Sequence, residues 1–175
     1  MLNQGKQEEP RLKSPDGTRI ALSLETGQIY IFDLTSQSLI STYTAHATTV
    51  RSLAWSADSS LLLSASDDRR LMLFDVRAGR GGGAGGGAVA PLVGHGSWVI
   101  STAFSPDGRL ALSGSTDKTI KVWDIAARAA VSTIQDTGEV WGVSWRPQVA
   151  PGSAGAFVSG GEDGVVRWWR SAGAS

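Results

Sequence analysis

Short apolar runs of about five residues, each closed by a cluster of turn-forming residues, set the rhythm of this chain. The stretch from Leu92 to Asp124 shows it most fully. There Pro91-Leu92-Val93, Trp98 to Phe104, Leu110 to Ser113 and Ile120 to Trp123 are separated by Gly94-His95-Gly96, Ser105-Pro106-Asp107-Gly108 and Ser115-Thr116-Asp117-Lys118. Gly, Pro, Asp and Ser in such clusters set tight turns. Runs this short at this spacing predict strands, and none is long enough for a helix, so the unit is all-β.

Other segments copy that unit less completely. Residues 1–13 are polar and unpatterned and are expected to form a disordered lead-in. Ser14-Pro15-Asp16-Gly17 then repeats Ser105 to Gly108 with no apolar strand before it, so the first unit, 14–34, begins part-way through. A second unit spans 39–76, a third 92–124 and a fourth 131–170, followed by a tail at 171–175. Residues 78–90 are glycine-rich and read as a flexible insertion between two strands, because ordering glycine costs much backbone entropy. Gln148 to Gly155 reads the same way.

The Gly-His opening and Trp-Asp close of the third unit, with Asp117 in the turn before its last strand, resemble the WD40 repeat of β-propellers. The resemblance implies a partial WD40 β-propeller of about three and a half blades, an open arc of four-stranded antiparallel sheets. At roughly 40–45 residues per repeat a seven-bladed ring needs roughly 300 residues, so a truncated product or an incomplete gene model is expected. It also implies a hydrogen-bonded tetrad of His95, Ser113 or Ser115, Asp117 and Trp123. Partial copies fall at His46, Asp68 and Phe74 in the second unit and at Asp163 and Trp169 in the fourth. Asp136 replaces the expected His, Thr26 a turn Asp and Arg170 the final Asp. A hydrolytic triad of His95, Ser113 and Asp117 is the alternative, but order and spacing match the structural tetrad and no oxyanion-hole motif accompanies them.

Charge and composition narrow the function classes. Sixteen Lys and Arg balance sixteen Asp and Glu, so overall charge draws the chain to neither nucleic acid nor an anionic membrane. No cysteine is present, which removes disulfides and thiolate metal sites. Both histidines have structural places, so no metal, cofactor or small-molecule substrate is expected, nor any catalytic residue. Gly81, Gly83 and Gly86 form a G-x-G-x-x-G, yet Val89-Ala90-Pro91 cannot open the helix that dinucleotide binding requires. Arg77 and Arg80 are the only charges near it and no aromatics are interleaved, so an RNA-binding Arg-Gly box is disfavoured.

Within the family, SPDG…IYIFDL, VRSLAWSADSSLLLSASDD…LMLFDV, GHGSWVISTAFSPDG, GSTDKTIKVWD and QDTGEVWGV resemble the carboxy-terminal half of the WD-repeat subunit shared by the superkiller (Ski) and Paf complexes. That resemblance implies a non-catalytic scaffold for protein partners, such as tetratricopeptide-rich subunits, in messenger-RNA decay and transcription elongation, in nucleus and cytoplasm. A substrate receptor of a cullin–RING ubiquitin ligase is the alternative, with Phe74-Asp75-Val76-Arg77 a near match to its Trp-Asp-x-Arg signature; a generic WD40 adaptor is another. Trp98 and Trp141, with Arg51, are the candidates for partner contact, unless the tryptophans pack between blades.

Overall fold

The computed structural model describes residues 11–77, 88–147 and 155–170. Strands β1 (Arg11–Lys13), β2 (Arg19–Ser23), β3 (Gln28–Asp33) and β4 (Ser38–Thr44) pair in that order as the first sheet. The second joins β5 (Val50–Trp55), β6 (Leu61–Ser66), β7 (Arg70–Asp75) and β8 (Ala88–Val93). The third joins β9 (Val99–Phe104), β10 (Leu110–Ser115), β11 (Thr119–Asp124) and β12 (Ala129–Gln135). Among the described residues the fourth holds β13 (Val140–Trp145), β14 (Ala156–Gly161) and β15 (Val166–Arg170). Every pairing is antiparallel.

One device builds the lower turn of the first three sheets. Ser14, Ser56 and Ser105 each donate a hydroxyl to the carboxylate two residues on, at 2.6 Å, and accept the N–H of the residue five on. The turn then needs a left-handed residue, supplied by Gly17, Gly108 and, at greater conformational cost, Ser59.

Sequence unit and sheet are out of phase by one strand. β4, β8 and β12 open the second, third and fourth sequence units but close the first, second and third sheets. Each sheet thus presents a rear face to the next sheet and a front face to the one before. Side chains alternate between the two: Ile29 and Ile31, Leu71 and Leu73, and Ile120 and Val122 are buried on rear faces. Opposite them on front faces lie Phe74, Trp123 and Trp169. Three apolar clusters result, one between each pair of consecutive sheets.

Backbone groups stitch the same joints. The Trp55 and Trp145 indoles donate to the carbonyls of Leu12 and Ala103 on the preceding first strand, at 3.0 and 3.2 Å. Thr102 N–H donates to Ser52 and Val143 N–H to Ser101. Every pair of elements in substantial contact lies within one sheet or between consecutive sheets. The all-β, blade-by-blade reading therefore holds, and the four sheets form an open series.

Two boundaries are corrected. The expected lead-in, 1–13, ends in a strand: Arg11, Leu12 and Lys13 pair with Leu22, Ala21 and Ile20, so the first sheet does not start part-way through. Its residues are held by ladder hydrogen bonds and by Leu12 packing on the first cluster, not by an apolar run. The expected insertion, 78–90, ends in β8, where Ala88 pairs with Phe74 and Ala90 with Leu73. Residues 1–10, 78–87, 148–154 and 171–175, with the rest of both insertions, the tail and Gly81, Gly83 and Gly86, lie outside the described residues.

Candidate functional site

His95 enters the third sheet from the β8–β9 loop, and β10 and β11 bring its partners to it. Its Nδ1 lies 2.8 Å from Asp117 Oδ2 and its Nε2 2.6 Å from Ser113 Oγ, which accepts the Trp123 indole N–H at 2.8 Å. A carboxylate only accepts, so Nδ1 carries the proton, and Nε2 must accept from the Ser113 hydroxyl. Asp117 also takes the Gly96 N–H at 2.8 Å and the Thr119 hydroxyl at 2.6 Å. Ser115 stands apart: it accepts the Asp117 N–H and donates to the Ser97 carbonyl.

Burial sets the protonation of this cluster. It pulls the His95 imidazole below its ordinary pKa, and the Asp117 hydrogen bond only partly offsets that. Burial pushes Asp117 the other way, but bonds from Thr119, Gly96 and His95 outweigh it and hold the carboxylate below its usual range. The atoms are connected as in a Ser-His-Asp triad, yet the chemistry is not: Ser113 is wholly buried and its oxygen already serves both an imidazole and an indole. No carbonyl substrate can approach a nucleophile so enclosed.

The second sheet repeats the arrangement without the indole. His46 reaches Asp68 at 2.8 Å and Ser64 at 2.6 Å, while Phe74 replaces the indole and stacks on Tyr43 at 4.6 Å between centroids. Burial lowers the His46 pKa as it does that of His95. In the fourth sheet Trp169 donates to Ser159 at 2.8 Å, but an arginine holds the acids together. Arg167 bridges Asp136 at 2.9 Å and Asp163 at 2.6 Å, and Thr137 adds a 2.6 Å bond to Asp163. Sequence reading missed Arg167; its place two residues before Trp169, matching Lys121 before Trp123, is the signal that could have found it.

The partner-contact candidates lie along one rim, that of the β4–β5, β8–β9 and β12–β13 loops. Trp98 is 51 % exposed and Trp141 53 %, so neither is packed away between sheets. Arg51 grips Asp67 through two hydrogen bonds of 2.9 and 2.7 Å, and its guanidinium carbon lies 5.8 Å from the Trp98 ring centroid. The cluster thereby spans the second and third sheets. On the fourth, the Trp141 indole donates to Glu139 at 3.1 Å. Asp67, which fixes Arg51, was also missed; an acid directly before the turn residue Asp68 is its only mark. Among the described residues no group of His, Asp and Glu has a metal-holding arrangement.

The family model "WD domain, G-beta repeat" matches residues 37–75 and 86–124. Meiotic recombination protein rec14 of Schizosaccharomyces pombe is 42% identical over 160 residues, covering 91% of this chain and 48% of that protein. WD repeat-containing protein SL1-17 of Schistosoma mansoni is 45% identical over 65 residues, 37% of this chain and 21% of its own length. The human U5 small nuclear ribonucleoprotein 40 kDa protein is 32% identical over 64 residues, 37% and 18%. Among solved structures, a chain of the mitotic checkpoint complex superposes with a TM-score of 0.79 at 25% identity, covering 93% of this chain and 47% of that one. U3-55K superposes with a TM-score of 0.80 at 20% identity, covering 95% and 50%. This chain thus spans about half the length of rec14 and of both solved chains.

Proposed function

We propose that this chain, whose residues 37–75 and 86–124 match the WD-domain repeat, works as a non-catalytic docking scaffold in a multiprotein assembly, gripping partner peptides at the rim that carries Trp98 and Trp141. The observation that carries this is the exposure of the two indoles beside polar groups that hold them: Arg51, anchored by Asp67, lies by Trp98, and Glu139 takes the Trp141 N–H. Large aromatics fixed in place supply interface hot spots at low entropic cost. Their π faces, with Asp67 and Glu139 alongside, suit a partner segment offering apolar or cationic side chains.

The finer reading is membership of the Ski or Paf complex. It rests on the sequence runs quoted above. The resemblance to rec14, by its name a meiotic recombination protein, and to a small nuclear ribonucleoprotein protein supports work in the nucleus; the cytoplasmic half rests on the sequence runs alone. The ligase-receptor reading would use Arg77, whose guanidinium is held by Asp75 at 2.9 Å on the opposite rim.

Affinity recovery from a lysate tests these together. The expected bait-specific partner is a tetratricopeptide-rich Ski or Paf subunit, and recovery of a cullin–RING adaptor in its place would overturn the finer reading. Trp98→Ala and Trp141→Ala should each weaken recovery about tenfold, the order of 1.4 kcal/mol, with the melting temperature nearly unchanged. A melting temperature lowered by many degrees with binding intact would overturn the docking role.

A further inference from the structure

The turns β2–β3, β6–β7, β10–β11 and β14–β15 share one backbone course, in which a left-handed residue bonds its N–H to the carbonyl three residues back. That residue is Gly27, Arg69, Lys118 or Gly164, with φ of 86, 69, 65 and 71°. Glycine adopts this conformation freely, whereas a side chain is strained in it. The second and third sheets hold the strain with a long basic residue, and both are exposed. These two turns flank Trp98. Thr116 N–H donates to the Trp98 carbonyl at 3.0 Å, which sets Lys118 beside the loop of the indole. Asp67 N–H donates to the Thr49 carbonyl at 3.0 Å, which sets Arg69 and Arg70 beside that of Arg51.

The acids of the same turns are already engaged. Asp68 and Asp117 bond His46 and His95, and Asp67 bonds Arg51, with side chains 12, 15 and 12 % exposed. Solvent around Trp98 therefore meets mainly cations: Arg69, Arg70, Lys118 and the outer edge of Arg51. The bonds to Asp67 use two of the five N–H groups of that guanidinium, so donors remain for a partner.

We propose, resting on the docking role of this rim, that the segment seated on Trp98 is an acidic peptide, its carboxylates meeting Arg51, Arg69, Arg70 and Lys118 while an apolar side chain lies on the indole. A peptide fits better than a nucleic acid because the rim changes sign at the fourth sheet. There the places of Trp98, Thr116, Asp117 and Lys118 are taken by Glu139, Glu162, Asp163 and Gly164. A run of phosphates, negative at every step, is repelled by those acids. A mixed peptide is not: it is acidic over the second and third sheets and apolar or cationic where it reaches Glu139.

The test selects random dodecapeptides displayed on phage against the full 175-residue chain. Enriched peptides should carry several Asp or Glu beside an apolar residue. Synthesised and labelled, they should lose affinity in fluorescence polarisation about threefold with Arg69→Gly and with Lys118→Gly, on the order of one surface ion pair, and about tenfold with Trp98→Ala. Neither glycine variant should lower the melting temperature, because glycine fits the left-handed place. A single-stranded oligouridine should not compete. Basic or uncharged peptides, or acidic ones indifferent to both glycine variants, that Trp98→Ala still releases would leave the docking rim standing and overturn its acidic occupant. Acidic peptides indifferent to all three variants would overturn both. Failure to enrich any peptide, or an RNA that competes and weakens with the glycine variants, would overturn the acidic peptide.

Discussion

The Ser113 oxygen sits between an imidazole it serves and an indole it receives, and loss of either neighbour strands buried polar atoms. Asp117→Ala and His95→Ala should therefore each cost about 1–3 kcal/mol of stability. Chemical denaturation reads this directly, and unchanged midpoints for both variants would contradict a structural role for the cluster. The imidazoles also set a pH dependence. Folding lowers the pKa of His46 and His95, so below the ordinary histidine value of about 6.5 the unfolded chain takes up protons that the folded chain refuses. Stability should be full above that pH and fall on acidification, by at most about 1.4 kcal/mol per unit per imidazole. Denaturation midpoints at pH 7.5 and 5.5 should differ in that direction, and a Gln at both positions should flatten the slope. His95 and Asp117 were legible in sequence because each lies within a turn cluster, and Trp123 because it closes the apolar run after the second of them. Ser113 and Ser115 were not separable, since residues two apart on a strand share a face; in the structure a register shift lies between Gly114 and Ser115, and the two hydroxyls have different partners.

At the scale of the element, apolar runs marked the strands rich in buried side chains and failed where backbone pairing and a single apolar residue hold a strand. β1 is the case in point: Arg-Leu-Lys carries one apolar residue, yet three register pairs with β2 and an indole bond from Trp55 hold it. β8 was cut short because Ala88, Val89 and Ala90 follow directly on the glycine-rich run and were read with it, although Ala88 and Ala90 pair with β7. The stretch between Arg77 and Ala88 joins two strands that are already paired. Removing 80–86 should shift stability by less than about 1 kcal/mol, because loop-closure entropy varies slowly with length. A thermal melt checks it, and a large loss, or loss of partner recovery with stability intact, would give that stretch a role beyond connection.

For the whole molecule, the consecutive-only packing of sheets makes a distinctive solution shape. One chain should scatter X-rays as an open arc, and a compact closed-disc profile from one chain would contradict the arrangement of sheets seen here. That the described sheets form an open series was expected from setting the number of units against a seven-bladed ring, whereas which alternate residue of β3 and β15 faces outward was not legible, because pairing register decides it. The one-strand offset between unit and sheet has a further consequence. The step from the second sequence unit to the third falls inside the second sheet, between β7 and β8, not between two sheets. Two fragments divided between those strands would each carry half of that ladder, β7 on the amino-terminal piece and β8 on the carboxy-terminal one. Made separately, such fragments should recognise each other by completing the second sheet, because β8 pairs β7 in the intact chain.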